Sequence, residues 1–366
     1  MEKVTLKQIA ELAGVSLTTV HRVLNGKGGT SKKVEENILR IAKEQGYAIN
    51  LAASMRKQPL HIALVFPLRE RGGRYFINRI LNGYLDFRKE VSQFNVVFQE
   101  FYLHSDQMLD TENAMAEQER ILKMIYREQP VHYDGVVIYG LTIDSRAETL
   151  LNRIVGSGTK VVVLERCPEG LSDVCSTEVN DLIAGNLAGD LLAGFIHGSG
   201  TVAIITQSLA EEDPNGRACA DCLQAIRPDL QVVRIPLELA VDQSDAILEH
   251  LRRQEALVGV YSTCARHTHS LLRAMKRADL SVQAAVGSEL FEESYRALHD
   301  RTLSAVIDKR PEQIGYKALQ LLFAALTRNE ELPTVHRVTP RIILRANSDI
   351  YYVEKENLYG KTHYPE

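Results

Sequence analysis

The sequence predicts a small all-α helix-turn-helix head followed by a larger two-lobed α/β body built on two doubly wound parallel sheets. Three observations carry this expectation. Three short amphipathic segments, punctuated by Gly and Ser, occupy roughly the first fifty residues. From about residue 60, continuous apolar runs alternate with amphipathic helical stretches, the pattern of parallel strands covered by helices. The chain has 366 residues and 45% hydrophobic content, more than one small domain needs.

The first helix is expected to start at Thr5, where Thr5-x-x-Gln8 has the spacing of a capping box. Leu6, Ile9, Ala10 and Ala13 share one face, and Gly14 supplies a left-handed stop. Ser16 then caps a second helix after a very tight turn. Val20, Val23 and Leu24 form its apolar stripe, while Leu17, Thr18, His21, Arg22 and Asn25 fall on the opposite side. Gly26, Gly28 and Gly29 make a loop, and Ser31 opens a third helix. Val34, Ile38, Ile41 and Ala42 point inward from that helix, and Gly46 ends it.

Three short helices, the first two joined by a Gly-containing turn, make a helix-turn-helix unit. Its second helix projects, and the outward face suits a DNA major groove. Arg22 can grip a guanine edge with two bonds, Thr18 and His21 can reach bases or phosphates, and Leu17 can touch a thymine methyl. A generic three-helix bundle could carry the same face. Charge favours DNA. Residues 1–60 hold ten Lys and Arg against five acids, a net +5 within a chain of net −4. A basic head on an acidic body assigns contact with a polyanion to the head. No apolar run approaches the roughly 20 residues of a membrane span, and no apolar signal segment begins the chain. Five cysteines are a sparse, odd set that fits a reducing cytosol, so a cytoplasmic protein is expected.

In the body, buried strands are expected at HIALVFP (61–67), DGVVIYG (134–140), KVVVLE (160–165), GTVAIIT (200–206), LVGVYS (257–262) and AAVGS (284–288). Helical stretches lie between them at Ile77–Glu90, Glu112–Glu128, Leu182–Gly194 and His267–Ala278. The body is too long for one small sheet. Two similar lobes are expected, with a ligand held at the carboxyl ends of the strands.

The segment VTLKQIAELAGVSLTTVHRVLNGKGGTSKKVEENILRIAKEQGY resembles the DNA-binding head of the lactose-repressor/galactose-repressor (LacI/GalR) family of bacterial transcription regulators. The likeness runs through the whole head without gaps, and AGVS-x-x-TV-x-RVLNG is very specific to the family. His21 stands where Ser is common, which bears on the operator sequence. Asn50–Arg56 resembles the family's hinge, which forms a short helix on operator DNA and parts the minor groove with a leucine. Met55 takes that leucine's place, and Met can wedge between base steps. The rival reading of this stretch is a plain linker ended by Pro59. The resemblance implies DNA contacts from Thr5, Leu6, Ser16, Leu17, Thr18, Thr19, His21, Arg22, Asn25 and Ser31 in the head, and from Asn50, Ala53 and Met55 in the hinge.

The body resembles the family's effector domain, which is periplasmic-binding-protein-like, with two lobes joined by three crossings. The crossings are expected near Glu165, Ile307 and Val335. The implied organisation is a head at 1–48, a hinge at 49–58, an effector and dimerisation domain at 59–346, and a tail at 347–366. Within the effector domain the N-lobe would comprise about 60–164 and 308–334, and the C-lobe about 165–306 and 335–346. By the same resemblance, VVVLER points to Glu165 and Arg166 as ligand contacts, and DPNGRACADCLQAI to Arg217. AVGSELFEES points to Glu289, AVIDKRPEQIGYKAL to Lys309, and the aromatics Tyr75 and Phe76 would face a sugar. Cys264–Ala265 stands where the family commonly has Asn-Asp. That departure leaves the particular sugar open.

Other motifs have plainer readings. Cys219-x-x-Cys222 has redox spacing but lies in a helical stretch with no second pair for zinc, so two structural cysteines are expected. His267-x-His269 lacks further metal ligands, and Gly156-x-Gly158 precedes a strand rather than cradling a dinucleotide. No nucleophile–base pair or paired carboxylate stands at convincing spacing. Neither cofactor nor catalysis is expected. The sequence thus reads as a homodimeric repressor that binds two operator half-sites and is relieved by a small sugar-like effector. The tail lacks the leucine heptads of a tetramerising helix. Alternatives are a corepressor-dependent repressor and, more distantly, a sugar-processing enzyme with an N-terminal extension. Arg69, Arg71, Arg74, Arg166, Arg217 and Lys309 raise the expectation of an acidic ligand such as a sugar acid or sugar phosphate. The rival is that the loop arginines are solvated and that Lys309 pairs with Asp308 or Glu312.

Overall fold

The computed structural model describes residues 6–24, 30–44, 59–67, 76–92, 94–103, 111–127, 132–140, 143–207, 213–238 and 242–358. The head consists of α1 (Leu6–Ala13), α2 (Leu17–Leu24) and α3 (Lys32–Glu44). Ile9, Ala10, Val20, Val23, Ile38, Ile41 and Ala42 meet in its core. Gly14 ends α1 at φ 65°, a left-handed conformation that favours glycine. The Val15 amide reaches back to the Ala10 carbonyl at 3.1 Å and closes the turn.

The N-lobe begins with β1 (Leu60–Pro67), α4 (Ile77–Glu90), β2 (Val96–Leu103), α5 (Thr111–Arg127) and β3 (Gly135–Tyr139). It continues with α6 (Ser145–Gly156), β4 (Lys160–Leu164) and β5 (Cys175–Val179). The C-lobe runs through α7 (Asp181–Phe195), β6 (Gly200–Gln207), α8 (Pro214–Ile226), β7 (Leu230–Leu237), α9 (Ser244–Arg252) and β8 (Leu257–Ser262). It then adds α10 (Ala265–Ala278), β9 (Ala284–Ser288), α11 (Glu292–His299) and β10 (Ala305–Asp308). The chain closes with α12 (Pro311–Arg328), β11 (Val335–Val338), β12 (Arg341–Ile343) and α13 (Arg345–Leu358).

Each lobe has one six-stranded sheet, ordered β11-β5-β4-β3-β1-β2 in the N-lobe and β12-β10-β9-β8-β6-β7 in the C-lobe. All pairings are parallel except β10 with β12. Strands buried on both faces explain the continuous apolar runs, for the helices cover each sheet on two sides. Ile62, Leu64 and Phe66 of β1 join one N-lobe core, while Ala63 and Val65 join the other.

Two of the three expected crossings move. β5 pairs with β4 in register Val162↔Cys175, so the chain stays in the N-lobe past Glu165 and leaves it only after Val179. CSTEV mixes polar with apolar residues, so it does not read as a buried run and its strand was not expected. β11 also pairs in the N-lobe sheet, Val335↔Ser176, so that crossing falls at residues 339–340 rather than at Val335. The crossing near Ile307 lies where β10 ends at Asp308. The tail is not a separate segment at 347. α13 starts at Arg345 and docks on the C-lobe, with Tyr352 stacked on Tyr295 at 4.2 Å and His299 Nε2 3.1 Å from Ser348 Oγ.

α12 returns to the N-lobe and lies against α4 at very close range. A Cβ on Gly83 would sit 1.8 Å from the Glu312 carbonyl oxygen, and one on Gly315 2.0 Å from that of Ile80. Two glycines, one on each helix, therefore let the backbones touch. Their contact fixes α4 beside the second crossing, where the charged residues of the cleft converge.

Candidate functional site

The strand ends of both sheets deliver charged side chains to the cleft between the lobes. Glu165 follows β4 directly and holds φ 67°, with its amide on the Thr177 carbonyl at 2.8 Å. This left-handed bend turns its side chain off the sheet edge. Its Oε1 is buried and has no hydrogen-bond partner among the described residues. Burial pushes the carboxyl up to about 8; Asp181, Glu178 and Glu289 add repulsion, and Lys309 opposes them. Asp181 opens α7 just after the first crossing, where Asn180 caps the helix by accepting from the Ile183 amide at 3.2 Å.

Glu289 follows β9 with the same φ of 67°. It is almost fully buried and accepts from Arg79 Nη1 at 2.5 Å and from the Lys309 amide at 3.1 Å. Lys309 sits in the second crossing, with its Nζ 3.6 Å from Asp181 Oδ1. Burial works to neutralise this ammonium, but Asp181, Tyr261, Glu289 and Asp213 outweigh it and raise its pKa. Asp213 caps α8, accepting from the amides of Asn215 and Gly216 at 3.1 Å each and from Thr263 Oγ1 at 2.6 Å. The Tyr261 hydroxyl donates to Asn215 Oδ1 at 2.8 Å.

Behind this row lies a buried ion cluster. Arg79, on α4 of the N-lobe, also donates to Asp308 at 2.8 Å and to Glu312 at 2.6 Å. Arg341, beyond the third crossing, holds Asp308 from the other side at 2.9 Å and is 3.7 Å from Glu312. Burial disfavours the Arg79 cation, yet three carboxylates raise its pKa well above the usual value. The two lobes and two crossings are thus tied by one set of charges, and Glu289 belongs both to that set and to the cleft.

The structure brings Glu165, Glu289 and Lys309 near one another. Cys264 caps α10 in the same neighbourhood, with Lys309 close enough to act on its thiol. Arg166 is exposed, as is Arg217 in the first turn of α8. Phe76 precedes α4 and packs half-buried on the N-lobe core. Tyr75 lies outside the described residues. The rival pairing of Lys309 with Asp308 or Glu312 is not found, since arginines hold both carboxylates and Lys309 turns to Asp181. Arg79, Asp181 and Asp213 were not foreseen. The available signal for Arg79 was a lone cation amid the apolar positions Ile77, Ile80 and Leu81 of α4.

On the head, Ser16 caps α2, its Oγ accepting the Thr19 amide at 3.1 Å and sharing a 2.8 Å hydrogen bond with Thr19 Oγ1. Leu17 is 50% exposed, and Thr18 and Arg22 are exposed with it. An apolar side chain left this open beside a guanidinium is what a groove-reading helix presents. Ser31 is exposed ahead of α3, and Thr19 is half-buried. Thr5, Asn25, Asn50, Ala53 and Met55, and the side chains of Leu6 and His21, fall outside the described residues.

Residues 5–50 match the bacterial regulatory proteins of the lacI family, and residues 73–331 match the periplasmic binding protein domain. The chain belongs to the periplasmic binding protein domain family over most of its length and carries a lacI-family head. The chain is 46% identical over 81 residues to the ribitol operon repressor of Klebsiella aerogenes, an alignment covering 21% of this chain and 29% of that protein. The chain spans less than half the length of each of these curated relatives it matches. The fold also matches GanP, a glucose-galactose binding protein from Geobacillus stearothermophilus. That match has a TM-score of 0.63 and 20% identity, over 80% of this chain and 99% of that one. A Bacteroides fragilis structure described as a LacI transcriptional regulator matches with a TM-score of 0.66 and 14% identity, over 80% and 100% of the two chains. At such identities these two structures establish the architecture alone. Among the described residues no helix is long and apolar enough to cross a membrane, and no cluster of His, Cys, Asp or Glu has the form of a metal site.

Proposed function

We propose that the protein is a cytoplasmic, homodimeric repressor that binds operator DNA through its head and releases it when a neutral polyol or sugar enters the cleft. The observation that carries this reading is the shared position of Glu289. It faces the cleft beside Lys309 and Glu165, and it accepts the hydrogen bond of Arg79 from the opposite lobe. A ligand that competes for Glu289 alters the tie between the lobes, so binding and lobe geometry are linked. The linkage is reciprocal: an inducer that weakens operator binding is itself held less tightly by the DNA-bound protein.

The charge of the cleft supports a neutral ligand. Glu165, Glu289 and Asp213 offer acceptors to hydroxyls, and Asp181 already opposes Lys309. Of the cations behind the expected acidic sugar, Arg69, Arg71 and Arg74 lie outside the described residues, Arg166 and Arg217 are exposed, and Lys309 faces Asp181. In the head, Leu17, Thr18, His21 and Arg22 would read bases, with Ser16, Thr19, Ser31, Thr5, Leu6 and Asn25 placing the helix on the backbone. Asn50, Ala53 and Met55 would form the minor-groove contact. The protein binds its effector and does not transform it.

Binding-site selection with the full chain, followed by titration of that site with a panel of matched neutral sugars, sugar acids and sugar phosphates, tests the whole reading. Recovery of a near-palindromic site that only neutral polyols release is the expected result. Enrichment of no sequence would overturn the repressor assignment, and release by anions alone would overturn the ligand class.

A further inference from the structure

Cys264 closes the turn after β8 and caps α10, its Sγ accepting the His267 amide at 3.5 Å. The start of a helix favours a thiolate over a thiol. His267, one turn into α10, is completely buried. Its Nε2 lies 3.2 Å from the Glu238 carbonyl oxygen, an acceptor that fixes the proton of the neutral ring on Nε2. The other nitrogen, Nδ1, is buried and has no hydrogen-bond partner among the described residues. Among neighbouring groups, the Cys264 thiol bears on the ring most strongly.

Two more cations bear on the pair, Lys309 on the thiol and Arg266 on the imidazole. Burial alone would raise the thiol's pKa. The charge and hydrogen bonds of His267, with Lys309 beyond them, outweigh burial and bring it to about 7. The other cysteines behave in the opposite way. Burial raises Cys167, Cys175, Cys219 and Cys222, so the chain carries its own controls. Cys264 is half-buried, and all five cysteines are thiols. A half-buried thiol at a helix start, among cations and beside an imidazole with one unpartnered nitrogen, is the environment of a reactive cysteine.

We propose that Cys264 is a nucleophilic thiol and a site of reversible covalent modification by low-molecular-weight disulfides, poised beside the effector cleft. In the exchange, the Cys264 thiolate attacks one sulfur of R–S–S–R. The protein–S–S–R bond forms and the original S–S bond breaks. The departing R–S⁻ takes the proton that His267 had drawn from the thiol. Cys264 is oxidised, and the released half of the disulfide is reduced. The adduct stands next to Lys309 and competes with the effector for the same space. That last consequence rests on the cleft being the effector site; the reactivity does not.

The test uses the full-length protein with glutathione disulfide as probe, and peptide mass spectrometry at each of the five cysteines from pH 5.5 to 9. Cys264 should react first, about ten-fold faster than Cys222 at pH 7, with a rate that rises through a midpoint near 7. His267→Gln should move that midpoint upward by about a unit or more, towards an ordinary thiol. Cys264→Ser confirms the assigned mass. Should His267→Gln fail to fold, the wild-type profile decides alone. A Cys264 that stays unmodified, or that tracks Cys167 and Cys222 without levelling off below pH 9, overturns the proposal. Because no effector enters this assay, its failure would leave the repressor reading standing, and a failure to find an effector would leave the thiol chemistry standing.

Discussion

Arg79→Met is the perturbation that most directly tests how the lobes are held. Arg79 is 5% exposed and binds three carboxylates, at 2.5 Å to Glu289, 2.8 Å to Asp308 and 2.6 Å to Glu312. Their losses differ. Asp308 keeps Arg341 on its other oxygen at 2.9 Å, and Glu312 is partly exposed with Arg341 at 3.7 Å. Glu289, 1% exposed, loses its guanidinium and keeps the Lys309 amide. The cost is therefore concentrated on Glu289, whose buried charge loses its ion pair, and breaking a buried ion pair typically costs about 3–5 kcal/mol. Met fills most of the arginine's apolar volume, so little of the loss comes from an empty space. Adding Glu289→Gln to Arg79→Met removes that charge and should restore at least about half of that stability. Urea unfolding at pH 7, followed by far-UV circular dichroism and compared at constant m-value, measures both changes. A loss below about 1 kcal/mol for Arg79→Met, or a double variant no more stable than the single one, would refute the reasoning.

Three further outcomes follow from the same structure. Glu165 has its pKa raised from 4.5 to about 8 by burial first and by neighbouring acids second, so the folded chain binds its proton more tightly than the unfolded chain. This residue's contribution to stability is fully present below pH 4.5 and falls as pH rises towards 8; Glu165→Gln should flatten that slope, and parallel stability–pH curves for variant and wild type would contradict it. Gly83→Ala should destabilise by about 1–3 kcal/mol in thermal unfolding, although Ala ordinarily favours a helix by about 1 kcal/mol, because its Cβ would meet the Glu312 carbonyl oxygen at 1.8 Å; unchanged stability would show that α4 and α12 separate freely. Arg22→Ala should cost about 1–3 kcal/mol at the selected operator and relax one base position, whereas Lys33→Ala should weaken all sequences evenly and flatten the salt dependence; an Arg22→Ala profile with wild-type base preferences would remove Arg22 from base reading.

Much of this molecule is determined locally and was legible in the sequence. Ser16 caps α2, Gly14 stops α1, and Ile9, Val20 and Ile38 meet in the head core, because capping and helical periodicity act over a few residues. β8, β9 and α4 occupy the expected spans for the same reason, since an apolar run or a 3.6-residue stripe is a property of neighbours. Glu165, Glu289 and Lys309 could be named from resemblance, because each follows a recognisable strand. What only the tertiary structure decided is the pairing between distant segments. β5 mixes polar with apolar residues, and its partner β11 lies far along the chain, so the lobe boundary could not be read near Glu165. Arg79 and Glu289 stand 210 residues apart, and nothing in either segment announces the other. Lys309 turned to Asp181 instead of its neighbours Asp308 and Glu312 because Arg79 and Arg341 already held those carboxylates. Such choices depend on which charges burial forces together, and a buried charge must take whatever opposite charge the fold places within reach.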